Sequence, residues 1–224
     1  MKYWKLTACM LAMAIATATM PALGQDTHPV FSLGIGAQYW EPKDLDELDE
    51  DGFWGANLIA RIQPSSYFGI DFRLGGSGVW EGDTFYFGDE KIETDVTFMC
   101  CPFEAGIVLM LPLGDVVTLY AGPGVGYYYY DIDIEATSKH GHHYHSEWSY
   151  HIELEDDFGW YVVGGLKIQL APHFSLFGEA RYTDTKTSLK KHKFVEFDGS
   201  GAGFKSGEFD CSGIGFQAGI MFDF

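Results

Sequence analysis

Downstream of an apolar opening segment, the chain alternates apolar and polar residues with period two over eight stretches, the pattern of strands with one apolar face. In the first, Phe31 to Trp40, the residues Phe31, Leu33, Ile35, Ala37 and Tyr39 share one face, and Ser32, Gly34, Gly36 and Gln38 the other. Trp54 to Gln63 and Phe68 to Gly75 repeat the alternation, and Pro102 to Leu111, Thr118 to Tyr129, Trp160 to Leu170, Phe174 to Thr183 and Gly213 to Phe224 continue it. The connections alternate as well. Gln63 to Ser66, Pro112 to Asp115 and Ala171 to His173 are short, Pro-marked turns. Between them lie four long segments, Glu41 to Gly52, Glu81 to Asp95, Asp131 to Asp157 and Asp184 to Asp210, read as loops.

The less apolar parity decides which face meets what. A soluble barrel with an apolar interior would carry Lys, Glu and Thr on that parity to meet water. Here it is dominated by Gly, Ser and Gln, which suit a crowded lumen. Its charges, Arg61, Asp71, Arg73, Glu104, Lys167, Glu179 and Arg181, are four bases and three acids that nearly cancel, as buried charges require. The apolar parity carries no charge over Phe31 to Tyr39, Trp54 to Ile62 or Phe68 to Leu74, so it suits lipid. The pattern predicts an all-β fold, an eight-stranded antiparallel up-and-down transmembrane β-barrel with long loops outside. A side-chain-filled lumen is expected, because eight strands leave room for little else. Tyr39, Trp40, Trp54, Trp80, Tyr127 to Tyr130, Trp160, Tyr182 and Phe224 fall near strand ends and are read as interfacial girdles.

The opening segment is read as a secretory signal peptide over residues 1–24. Lys2 and Lys5 precede an apolar run from Leu6 to Met20, and Ala22 and Gly24 precede a cut before Gln25, leaving residues 25–224 as the barrel domain. Leu6-Thr7-Ala8-Cys9 matches a lipobox but stands too close to Lys5 for a hydrophobic region to precede it. After the cut, 12 bases face 32 acids, a net charge of −20 that argues against a nucleic-acid partner. No apolar run long enough for a spanning helix remains. Most of the acids, 26 of 32, fall in the four long segments, where they keep the loops solvated or hold divalent cations. Lys190, Lys191 and Lys193 form the one basic exception.

The terminal Gln217-Ala218-Gly219-Ile220-Met221-Phe222-Asp223-Phe224 resembles the assembly signal of outer-membrane barrels, carried by Gln217, Gly219, Phe222 and Phe224. Tyr120-Ala121-Gly122-Pro123-Gly124-Val125-Gly126-Tyr127 and Phe177-Gly178-Glu179-Ala180-Arg181-Tyr182 resemble strands of the OmpA-like and OmpW-like small-barrel superfamily. The resemblance spans about residues 25–224. It implies residence in the outer membrane among lipid and lipopolysaccharide, and delivery by the barrel-assembly machinery. Its OmpW-like side implies passage of small or apolar solutes. Unlike full-length OmpA, no peptidoglycan-binding domain is expected after the barrel.

Candidate chemistry is sparse. His140, His142, His143 and His145, with His151 and neighbouring carboxylates, suggest a divalent-metal site at a hairpin tip, although their spacing matches no closed-site motif. Asp131-Ile132-Asp133-Ile134 and His151-Ile152-Glu153-Leu154 alternate and suggest that hairpin's two strands. His173-Phe174-Ser175 with Glu179 superficially resembles the residues of outer-membrane lipid A deacylases, yet His173 falls in a short turn. Cys100, Cys101 and Cys211 survive processing in a disulfide-permissive compartment; a link between opposite strands is too long, and only loop excursions would join them. No cofactor is expected. The leading expectation is a structural or surface-interaction role without catalysis, with solute transport and lipid modification as alternatives.

Overall fold

The computed structural model describes residues 30–43, 52–87, 90–140, 144–188 and 208–224; the expected leader lies outside them. Among the described residues eleven strands form: β1 (Phe31–Pro42), β2 (Phe53–Ser65), β3 (Phe68–Phe87), β4 (Glu90–Leu113), β5 (Val117–His140), β6 (Tyr144–Glu153), β7 (Asp157–Ala171), β8 (Phe174–Asp184), β9 (Lys186–Ser188), β10 (Glu208–Asp210) and β11 (Gly213–Asp223). Eight of them make the wall in the order β1-β2-β3-β4-β5-β7-β8-β11, every pairing antiparallel. Pairing of β1 with β11 closes the barrel, which leaves its eight-stranded wall without a free edge. At that seam Phe224 N–H donates to the Phe31 carbonyl at 2.8 Å, and Val30 N–H donates to the Phe224 carbonyl at 3.1 Å.

The short turns lie at the end that holds this seam. Between β4 and β5, Gly114 takes φ +82°, a left-handed conformation that an L side chain resists. At the opposite end the strands outrun the barrel. The ladder of β3 and β4 continues to Phe87 opposite Glu90, and β5 runs to His140 between β4 and β6. The segment Glu81 to Asp95, read as a loop, is therefore mostly hairpin, and Asp131 to Asp157 holds the hairpin that its alternating flanks suggest. The outward parity of β5 passes from Val125, Tyr127 and Tyr129 to Asp131, Asp133 and Glu135, so the alternation survives while its outward face changes from apolar to acidic. That exchange suits a strand leaving lipid for water.

Register aligns the two faces around the wall. Ile35 stands between Leu58 and Ile220, and all three side chains point away from the bore. Leu109, Val125, Val162, Leu176, Phe216 and Phe222 extend this exposed apolar belt. Such a continuous surface is unstable in water and suited to hydrocarbon. Tyr39, Trp54, Trp80, Tyr127, Trp160 and Tyr182 border it, with ring pairs Tyr39 and Trp54 at 5.0 Å and Trp160 and Tyr182 at 5.8 Å.

Three aromatics assigned to the girdle lie elsewhere. Trp40, Tyr128 and Tyr130 are 0–2% exposed and point into the bore. Strand parity is the reason: neighbours of the outward Tyr39, Tyr127 and Tyr129 must face inward. With Phe53, Phe98, Cys100, Leu154 and Cys211 they form an apolar cluster across the outer end. Cys100 on β4 and Cys211, in the connection that precedes β11, meet within it.

Candidate functional site

Below that cluster, the interior is built around four carboxylates. Arg61 and Asp71 are direct cross-strand partners on β2 and β3, and the guanidinium grips the carboxylate twice, at 2.6 and 2.9 Å. Arg73, two residues along the same face, donates to Asp71 at 2.9 Å. Its other contacts are with Glu179 of β8, through Nη1 to Oε1 and through Nη2 to Oε2, the latter at 3.1 Å. In the wall order β3 and β8 are diametrically opposed, so this one pair bridges the full width of the bore. Tyr120 completes Glu179 with an O–H donor at 2.9 Å, while its ring lies 4.3 Å below the Arg61 guanidinium.

A second group repeats the pattern nearer the outer end. Arg181 donates to both oxygens of Glu104 at 2.9 and 2.7 Å, and Tyr128 O–H donates to Glu104 Oε1 at 2.8 Å. The Tyr161 ring stands between the groups, 5.7 Å from Arg73 and 5.8 Å from Arg181. It fits because Gly124 and Gly106 leave it space: a Cβ on Gly124 would come within 2.3 Å of the ring, and one on Gly106 within 2.5 Å of the hydroxyl.

The third group joins Lys167, one of the interior charges read from the sequence, to an acid the sequence reading did not place there, Asp223. Lys167 reaches Asp223 at 3.0 Å, and Asp223 also accepts from Ser32 and Ser175, each at 2.6 Å. Gln63 donates to the Ser32 hydroxyl at 2.9 Å. Asp223 raises the interior acids to four, matching the four bases. Each carboxylate meets a cation and at least one further donor or second hydrogen bond, which offsets the cost of removing it from water. Buried ion pairs add little net stability, but they penalise any register that separates the partners. Asp223 shares parity with the inward Gln217 and Met221, which is the signal that would have identified it.

The remaining candidates separate. His173 Nδ1 is 2.8 Å from the Asp223 carbonyl, Ser175 turns to the Asp223 carboxylate, and Glu179 is held by Arg73 and Tyr120; the three do not form a base and nucleophile pair. His142 and His143 lie outside the described residues, whereas His140 and His145 occupy paired strands at the top of the β5–β6 hairpin. Lys190, Lys191 and Lys193 are also outside. In the outer segment, Asp210 accepts the Ser212 N–H at 2.9 Å and lies 3.8 Å from Lys43. Burial pushes its carboxyl up, but hydrogen bonds from Ser212 and the Lys43 charge outweigh this and hold it below the usual carboxylate value.

A closed wall with an apolar outer belt, aromatic borders and a charge-paired interior defines an integral β-barrel of the outer membrane. The chain belongs to the outer membrane protein beta-barrel domain family, whose model matches residues 8–222. Among solved structures it is similar to the outer membrane protein OprG from Pseudomonas aeruginosa, with a TM-score of 0.53 and 14% identity over 88% of this chain and 97% of that one. It is similar also to Neisserial surface protein A, with a TM-score of 0.45 and 14% identity over 87% and 97%. Attachment invasion locus protein of Yersinia pestis follows at 0.36 and 17%, over 87% and 96%. No curated protein sequence matches it. At these identities the OprG likeness speaks for fold.

Proposed function

We propose that the protein is a non-catalytic, structural or surface-interacting barrel whose bore is filled by its own side chains. The Arg73 and Glu179 pair carries this reading, because it joins diametrically opposite strands in the middle of the interior. The apolar cluster of Trp40, Phe53, Phe98 and Tyr130 supports it from the outer end. With the bore filled, the surface available to partners is the extended β3–β4 and β5–β6 sheet and the outer rim, set among lipid and lipopolysaccharide. Gln217, Gly219, Phe222 and Phe224 serve delivery, as the recognition element for the barrel-assembly machinery.

Proteoliposome swelling paired with a retention assay tests the reading. Refolded barrel should retain lipopolysaccharide or another envelope component while leaving liposomes impermeable to small sugars and amino acids. Swelling in those solutes would favour transport, and an altered lipid A mass profile in a deletion strain would favour lipid modification.

A further inference from the structure

The outward face of the β5–β6 hairpin carries a group of side chains that the interior does not use. Asp133 and His151 are direct cross-strand partners, and Asp131 lies one pleat away on the same face of β5. The imidazole reaches both acids: Nδ1 is 2.7 Å from Asp133 Oδ1, and Nε2 is 3.2 Å from Asp131 Oδ1. One ligand atom from each residue falls within a group no wider than 4.8 Å. Ile132, between the two acids, packs inward against the outer cluster, which fixes the acids on the outside.

We propose that Asp131, Asp133 and His151 form a surface site for a divalent transition-metal ion of the zinc, cobalt or nickel class. The donor set is one imidazole nitrogen and two carboxylate oxygens, which suits borderline metals better than magnesium or calcium, whose preference is for oxygen alone. Around zinc, ligand atoms stand roughly 3.3–3.5 Å apart. Metal binding would exchange one of the two imidazole contacts for the ion, widen the 2.7 Å approach of His151 to Asp133 and draw in the most distant of the three ligand atoms from as much as 4.8 Å, rotations that the partly exposed side chains permit. The backbone beneath them is preorganised, because β5 is hydrogen-bonded on both sides, to β4 and to β6.

Placement gives the site a setting. Trp80, Thr97, Asp133 and His151 occupy one row across β3, β4, β5 and β6, and Trp80 is 83% exposed. The metal would therefore sit in register with Trp80, a residue of the aromatic border. This site differs from one formed by His140, His142, His143 and His145, and it does not depend on the bore being filled.

The test uses the full refolded barrel in detergent micelles, titrated with Co²⁺ by visible absorption and with Zn²⁺ by calorimetry. Heat-modifiable migration on gels confirms that each variant folds. Wild-type protein should bind one ion, and His151→Ala and Asp133→Asn should each weaken binding about tenfold or more. A combined His140→Ala, His142→Ala, His143→Ala and His145→Ala variant should keep the wild-type affinity for that ion. Unchanged affinity in His151→Ala, loss of the ion only in the combined variant, or no Co²⁺ binding by wild type would each overturn the proposal. If His151→Ala fails to fold, Asp133→Asn, a near-isosteric change, gives the decisive reading.

Discussion

Lys167 of β7 meets Asp223, the penultimate residue of the chain, at 3.0 Å inside the barrel, with Ser32 and Ser175 completing the carboxylate. The contact ties the last strand to the wall and neutralises the interior, so Asp223 serves stability beside its place in the terminal segment. Asp223→Asn should leave the Lys167 ammonium buried without a counter-charge, at a cost of up to about 3–5 kcal/mol in urea unfolding from liposomes. Adding Lys167→Met should recover much of that loss. An Asp223→Asn barrel as stable as wild type would show that the pair does not hold the seam.

The Tyr161 ring occupies space that only a glycine partner leaves. Gly124→Val should force the ring away from Arg73 and Arg181 and destabilise the barrel by about 1–3 kcal/mol. Unfolding midpoints together with Tyr161→Ala as a second background check the cause: the valine penalty should shrink once the ring is gone.

How much of this could be read from residue order depends on the range of the interaction. Period-two parity is local, so the separation of Ile35, Leu58 and Ile220 from Gln38, Asn57 and Gln217 is visible without coordinates. Parity also applied to Trp40, Tyr128 and Tyr130, but grouping aromatics by strand end overrode it and placed them in the girdle. Charge marks both Glu81 to Asp95 and Asp131 to Asp157 as loops, yet in the second the alternation of Asp131-Ile132-Asp133-Ile134 and His151-Ile152-Glu153-Leu154 makes the β5–β6 hairpin legible, whereas the β3–β4 extension over the first is not. The choice of partners in the bore was not legible. Arg73 and Glu179 are 106 residues apart, and only the closure of β1 on β11 sets them face to face.

The apolar belt makes a depth-dependent prediction. Ile35→Arg, midway along β1 on the outer face, should cost about 2–4 kcal/mol in liposome unfolding. The same change at Ser149, exposed on β6 beyond the aromatic border, should stay within about 0.5 kcal/mol. Equal penalties at both positions would mean that β1 does not face hydrocarbon.

Phe224 packs 6.0 Å from Phe31 at the seam and remains 67% exposed. Phe224→Ala, which keeps the two backbone hydrogen bonds of this residue to Phe31 and Val30, should lower outer-membrane yield in cells several-fold while leaving the unfolding free energy of barrel refolded in vitro within about 1 kcal/mol of wild type. Normal yield with a collapsed unfolding free energy would assign the residue to stability instead of assembly.

The central claim, that side chains fill the bore, is tested most directly by single-channel recording of the refolded chain in planar bilayers at neutral pH. The predicted result is no stable conductance step, with Arg73→Ala combined with Glu179→Ala introducing steps by removing the pair that spans the interior. Stable, large conductance from the unaltered protein would contradict it.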